Sequence, residues 1–349
     1  MSFVSKKMQG KVPYEPNCGD FRLRLDANES PFVPDKSIIE KFVAALSDTS
    51  SPAYNLNRYP DPSSHELRLA FAKRYGVAVE NTVAGNGSDE LISIIMTSLF
   101  DSGDTIAVAN PEFSMYAFYA QLSENTVFYT DKDENYSLDS LLDFVKKNNC
   151  RAVIFSNPCN PTGMGFKRAQ VLNFVENCPA LCIVDEAYMD FWDQSILDVA
   201  DKYENLIVLR TLSKAYGAAA IRAGFAVGHR SLIDALSVAR SPYNVNSLTQ
   251  LLGKLVLESE TSNQGKFLAE QAKKLTDILK NLLPDATFYP SHTNFVYFKT
   301  DKAKQIFEGL LSDGIAVRYF APSHLRITAS TDEEQSMRAY SLENILKTL

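Results

Sequence analysis

Lys214 directly follows the apolar run Leu206 to Arg210, separated from it only by Thr211-Leu212-Ser213. That run has the length and β-branched content of a buried strand, which predicts the lysine at the strand's carboxyl end. A lysine in such a place becomes a nucleophile when burial beside cations lowers its pKa or when it is held as an imine, which is what capture of an aldehyde requires. Ser213 and Arg222 flank it with a hydroxyl donor and a guanidinium, both suited to a phosphate dianion. Asp185 closes a second apolar run, in Val184-Asp185-Glu186-Ala187-Tyr188. A buried carboxylate demands a cationic partner. A protonated pyridine nitrogen is such a partner, and the carboxylate would keep that ring an electron sink, with Tyr188 in reach of a ring hydroxyl. Gly85-Asn86-Gly87-Ser88-Asp89-Glu90 opens the helical run Leu91 to Phe100, so its backbone N–H groups can face an anion, most naturally phosphate. Glu90 stands where a dinucleotide fingerprint needs a third glycine, and that reading fails. Taken singly, each stretch also has an ordinary explanation: a helix cap, a capping Asp beside a packed Tyr, a solvated lysine.

The elements that position these residues follow from pattern. Thr105 to Ala109, Arg151 to Ser156, Leu181 to Asp185, Leu206 to Arg210 and Ala223 to Val227 are predicted strands, with helix-length segments between most of them. The alternation predicts an α/β fold, a mostly parallel sheet with helices on both faces and ligands at the carboxyl ends of its strands. From about Asn246 to Leu283 the pattern is mostly helical, and Asn294 to Phe298, Ile315 to Arg318 and His324 to Thr328 then supply short strands. The chain of 349 residues exceeds a usual single core. The expected division is an N-terminal arm with part of a smaller unit (1–45), a large ligand-binding unit (46–250) and a smaller α+β unit (251–349), with Ser50 to Ser64 as an irregular crossing.

Composition narrows the function. The net charge of −7, with no cluster of Lys and Arg among aromatics, gives no footprint for nucleic acid. Cysteines at 18, 150, 159, 178 and 182 form no CxxC pair and the four histidines are scattered, so neither a metal site nor a disulfide is expected. Cys178 and Cys182 read as small buried residues leading into a strand. No membrane-length apolar run occurs and Met1 to Lys11 is polar, which predicts a cytoplasmic protein without membrane association.

Read together, the motifs resemble the fold-type I aminotransferases that use pyridoxal 5′-phosphate (PLP), and within them the histidinol-phosphate aminotransferases. The resemblance rests on Leu25-Asp26-Ala27-Asn28-Glu29-Ser30-Pro31, Arg58-Tyr59-Pro60-Asp61-Pro62, Gly85 to Glu90, Asn157-Pro158-Cys159-Asn160-Pro161-Thr162-Gly163, Val184 to Tyr188, Arg210 to Lys214 and Leu325-Arg326-Ile327-Thr328. It implies that Lys214 is the Schiff-base lysine, that Asp185 partners the pyridine nitrogen, and that Asn160 and Tyr188 donate to the ring hydroxyl. Phe113, in Pro111-Glu112-Phe113-Ser114-Met115-Tyr116, matches the aromatic stacked on the ring. Ser88, the Asp89 backbone N–H, Ser213 and Arg222 would hold the phosphate, with Tyr59 supplied by a neighbouring subunit. The Asp89 carboxylate would repel phosphate, which leaves its side chain for the helix cap. Arg326 matches the arginine for the substrate's anionic end, and Arg318 joins it in an anion clamp. Tyr14 resembles a tyrosine that reaches the substrate phosphate across a homodimer, and Asn28 a residue lining the substrate.

The implied activity is transamination between histidinol phosphate and 2-oxoglutarate, a step of histidine biosynthesis. Lys214 would serve as nucleophile and as general base. The chain departs from the family in the short link Tyr319 to Leu325 and in Ala329-Ser330, where Val-Gly is usual. Alternatives are a phosphothreonine decarboxylase or an aromatic aminotransferase of the same fold, and a non-catalytic PLP-sensing regulatory domain. The decarboxylase usually carries His-Gly-Gly-Asn near its N-terminus and the regulator a basic segment, and neither stretch is present.

Overall fold

A computed structural model of the chain describes residues 3–12, 17–132, 136–259 and 262–348. Among them thirteen strands are formed. In chain order these are β1 (Leu23–Arg24), β2 (Thr82–Asn86), β3 (Thr105–Asn110), β4 (Thr126–Asp131), β5 (Ala152–Ser156), β6 (Leu181–Asp185), β7 (Leu206–Thr211), β8 (Ala223–Gly228), β9 (Thr287–Phe288), β10 (Phe295–Lys299), β11 (Ile315–Ala316), β12 (Arg318–Phe320) and β13 (His324–Thr328).

Seven of them make one sheet in the order β2-β8-β7-β6-β5-β3-β4. Alternate side chains of its central strands enter different cores: Val153, Phe155, Val184 and Val208 on one face, Ile154, Ile183, Ile207 and Leu209 on the other. Burial on both faces is why these strands read as continuous apolar runs. Helices His65–Tyr75, Leu138–Lys147, Arg168–Asn177 and Ser247–Leu257 cover the first face, and Gly87–Ser98, Met115–Leu122 and Arg230–Ala239 the second. The sequence pattern missed β2 and β4, the two edge strands. Edge strands need no continuous apolar run; β4 is partly exposed along its length, and β2 carries Gly85 and Asn86.

The sheet is parallel except at β8, which runs antiparallel to both β2 and β7. The reversal has a local cause. The segment after β7 turns at the carboxyl edge, where Lys214 stands, and re-enters the sheet at Ala223, so Arg222 returns to the edge that carries Ser213.

A four-stranded sheet, β12-β13-β10-β9, packs Val296, Phe298, Leu325 and Ile327 into a third core with helices Ser262–Leu282, Ala303–Ser312 and Asp332–Lys347. Leu23 and Leu25 join this core, and β1 pairs with β11. The stretch Ile315 to Arg318, expected as one strand, is two short strands in different sheets, divided at Val317. Ala329 and Ser330 are buried just ahead of the last helix, with the Ser330 hydroxyl on Glu334, so this departure from the family pattern serves a helix start. Helix Ser247–Leu257 runs unbroken through residue 250, and Val256 and Leu257 belong to a core of the large sheet. No helix of the described residues is long and apolar enough to cross a membrane.

Candidate active site

The carboxyl edge of the large sheet gathers most of the chemistry-bearing side chains. Helix Gly87–Ser98 begins four residues earlier than the expected Leu91, so Ser88 and Asp89 lie in its first turn, where backbone N–H groups have no partner within the helix. Gly87 has φ 78°, and a methyl group there would lie 2.6 Å from an Arg222 guanidinium nitrogen. Gly224 is just as constrained: a methyl group would meet the Gly87 carbonyl carbon at 2.4 Å and the Ser88 nitrogen at 2.5 Å. These two glycines let β8 carry Arg222 against the first turn of the helix. Arg222 has left-handed backbone (φ 53°, ψ 53°) and donates to the Ser213 hydroxyl at 3.3 Å. Strain of this kind at a non-glycine residue is tolerated where the surroundings hold it in place. Asp89 does not cap the helix as expected: its Oδ1 is buried without a hydrogen bond, and burial raises its pKa against the pull of Arg222 and Lys214.

Lys214 Nζ donates to the Ala27 carbonyl at 2.9 Å and lies 5.7 Å from the centre of the Tyr188 ring. The Tyr188 hydroxyl accepts from Asn28 Nδ2 at 2.8 Å, which leaves its own proton available. Asn28 is buried with φ 55° and is held by Thr328 and Asn294, so β13 and the start of β10 fix a residue of the N-terminal segment beside the lysine.

Asp185, only 4% exposed, accepts from the Tyr116 hydroxyl at 2.7 Å and the Ala187 N–H at 2.9 Å. Both donors are neutral. Burial pushes its pKa up to about 6, although the two hydrogen bonds favour the charged form. Tyr116 lies in the Phe113 motif, three residues on and in the first turn of helix Met115–Leu122, and its ring meets that of Phe113 edge-on at 5.6 Å.

On the four-stranded sheet Arg318, Arg326 and Tyr297 lie directly opposite one another on adjacent antiparallel strands, which puts all three on one face. The Arg326 guanidinium donates to Asn160 Oδ1 and, at 2.6 Å, to the Asp26 carbonyl, and lies between the rings of Phe295 (5.3 Å) and Phe320 (5.8 Å). The short link Tyr319 to Leu325 is therefore a tight hairpin whose register sets the two arginines side by side. Tyr59 is 80% exposed and stacks on Tyr243 at 4.4 Å, outside this cluster of the same chain. Tyr14 lies outside the described residues.

A profile of the family described as aminotransferase class I and II matches residues 22–341. The chain belongs to this family. Among the aminotransferase's relatives, histidinol-phosphate aminotransferases of Thermoanaerobacter sp. (strain X514) and Clostridium kluyveri are 34% and 35% identical to it, covering 99% and 98% of both chains. Of solved structures, a histidinol-phosphate aminotransferase from Sinorhizobium meliloti in complex with pyridoxal-5′-phosphate matches 100% of the aminotransferase and 98% of its own chain with a TM-score of 0.89 at 23% identity. An L-threonine-O-3-phosphate decarboxylase from Porphyromonas gingivalis matches 93% and 99% with a TM-score of 0.78 at 20% identity. At these identities the two structures establish the fold alone.

Sequence reading also missed Glu112, Lys132 and Ser156. Lys132 and Glu112 form an ion pair at 2.5 Å with side chains 10% and 1% exposed, and Glu112 accepts from the Ser156 N–H at 3.2 Å and from the Ser156 hydroxyl. Glu112 stands beside the expected ring-stacking Phe113 and Ser156 ends a predicted strand; only Lys132, distant in sequence, had no local signal.

Proposed function

We propose that the chain is a PLP-dependent aminotransferase that exchanges the amino group of histidinol phosphate with 2-oxoglutarate, as a homodimer in the cytoplasm. Asp185 carries the cofactor reading. Its buried carboxylate is met by neutral donors only, and a protonated pyridine nitrogen supplies the missing positive charge. When bound, PLP supplies an aldehyde that captures amines and a protonated ring that draws electrons from the neighbouring carbon.

The chain's own groups do the rest. The first-turn N–H groups of helix Gly87–Ser98, with Ser88, Ser213 and Arg222, would hold the phosphate, and Tyr59 of a second copy would complete that end. Phe113 would stack on the ring. Asn160, whose Oδ1 is taken by Arg326, keeps its amide N–H free to donate to a ring hydroxyl, and Tyr188, whose oxygen accepts from Asn28, would donate its own proton there. Lys214 would be the nucleophile and, through its Nζ, the general base that holds and moves the proton. Asn28 lines the substrate side. Units 46–250 and 251–349, with 1–45 attached to the latter, divide these tasks, and helix Ser247–Leu257 is the joint between them.

Two arginines directly opposite on neighbouring strands concentrate positive charge on one face of the sheet, which favours an anion there. A phosphate monoester or the side-chain carboxylate of glutamate satisfies both, with Tyr14 from the second copy. The full-length relatives named as histidinol-phosphate aminotransferases support the phosphate. The test compares histidinol phosphate with histidinol, and with phenylalanine as a control. Loss of the phosphate is expected to lower kcat/KM by about a hundredfold, on the order of 3 kcal/mol for the charge-assisted hydrogen bonds it would make. Equal rates, or a preference for phenylalanine, would overturn the substrate and leave the cofactor reading standing.

A further inference from the structure

We propose that Glu112, Lys132 and Ser156 are positioning residues that aim the substrate arginine from the far side of the site, through Asn160. The inference rests on the reading of Arg326 as the substrate's anion contact.

Arg326 belongs to the four-stranded sheet, but its guanidinium is directed by groups from elsewhere: the Asp26 carbonyl and the Asn160 side-chain carbonyl. Asn160 is fixed in turn through its backbone N–H, which donates to the Ser156 hydroxyl at 3.1 Å. A hydroxyl has one proton, and Ser156 gives its proton to Glu112 Oε2. The oxygen's remaining capacity is acceptor only, so it faces the Asn160 N–H in one orientation. Glu112 is held at both oxygens, with Oε1 on Lys132 Nζ at 2.5 Å and on the Ser156 N–H at 3.2 Å. A carboxylate this buried requires a counter-charge, and Lys132 supplies it. Lys132 Nζ also reaches the Cys159 sulfur at 3.0 Å, in the residue before Asn160.

The connection therefore runs Lys132, Glu112, Ser156, Asn160, Arg326 across the ends of β4, β3 and β5 to β13, every link a hydrogen bond with an assigned direction. Like any chain of polarised bonds, it specifies one arrangement only while each member is satisfied. A staple that merely joined the strand ends would need Glu112 and Lys132 but not the bond from Asn160 to the Ser156 hydroxyl.

The decisive variant is Ser156→Ala, which leaves the ion pair intact. Binding of the unreactive dicarboxylate maleate to the holoenzyme is followed by the absorbance of the bound cofactor, alongside the melting temperature. A hydrogen bond contributes about 1 kcal/mol, so maleate affinity is expected to fall about fivefold with Asn160 present and less than twofold in an Asn160→Ala background. The double variant Glu112→Gln with Lys132→Met, which removes the charges together, should behave likewise. An equal loss in both backgrounds, or a lowered melting temperature with unchanged maleate affinity, overturns the proposal. Maleate binding does not depend on the amino donor, so these outcomes are separate from the histidinol phosphate comparison. Failure of maleate to respond to Arg326→Ala itself would instead fault the anion-contact reading on which the proposal rests.

Discussion

Asp185 and Glu186 are adjacent acids at the end of β6, both buried, and their surroundings are opposite. Glu186 has an Arg210 guanidinium at 3.0 Å, the Ser195 hydroxyl at 2.5 Å and the Ile196 N–H at 2.8 Å. Arg210 extends the arrangement to Asp190 at 2.5 Å, lies 4.6 Å from the Tyr75 ring centre, and Tyr75 donates to Asp190 at 2.8 Å. Burial raises the Glu186 pKa, and Arg210 and the two donors oppose it. Asp185 has two neutral donors and, among the described residues, no cation in an ion pair with it. The period of the strand explains the divergence, since successive side chains leave a strand end on opposite faces. An acid whose charge is balanced within the fold belongs to the scaffold; one left short of a cation marks the place for a ligand that brings it.

The largest expected effect tests Asp185 in the loaded enzyme. Asp185→Asn keeps the shape and removes the charge, and turnover should fall by about a thousandfold or more, roughly 4 kcal/mol of barrier. Steady-state kinetics at saturating cofactor decide it, and an unchanged rate would give the ring nitrogen another partner.

Arg210→Met should convert Glu186 into a second acid without a cation. Removing one partner of a buried pair costs about 3–5 kcal/mol, to be read from urea unfolding, and adding Glu186→Gln should restore part of that loss. A cost near zero would place Glu186 outside the scaffold.

The smallest effect concerns Asp185 in cofactor-free protein. Its folded pKa of about 6 lies above the ordinary 3.8, so between these values the folded state holds a proton that the unfolded chain releases. Stability should therefore decline as pH rises from about 4 to 6 and stay lower above that window, by on the order of 3 kcal/mol at most. Asp185→Asn should flatten this decline and stabilise the cofactor-free protein at neutral pH while inactivating the enzyme. An unfolding series across pH with the same slope in both proteins would show that another group produces it.

The residues gathered at the sheet's carboxyl edge were legible because their signals are local: a lysine or an aspartate placed at the end of an apolar run, and a Gly-Ser-Asp stretch opening a helix. Fully buried strands announce themselves in sequence, and whatever directly follows a parallel one lies at the sheet's carboxyl edge. The edge strands β2 and β4 carried no such signal, and neither did the boundary of helix Gly87–Ser98, whose first turn is shaped by Gly224 far along the chain. The reversal of β8, the pairing of Arg318 with Arg326 and the bonds from Lys132 to Asn160 each depend on segments remote in sequence. Residue order alone determined which groups stand at the ends of the parallel strands; only tertiary structure decided which buried charges are balanced, because a partner's distance is set by packing between elements and not by spacing along the chain.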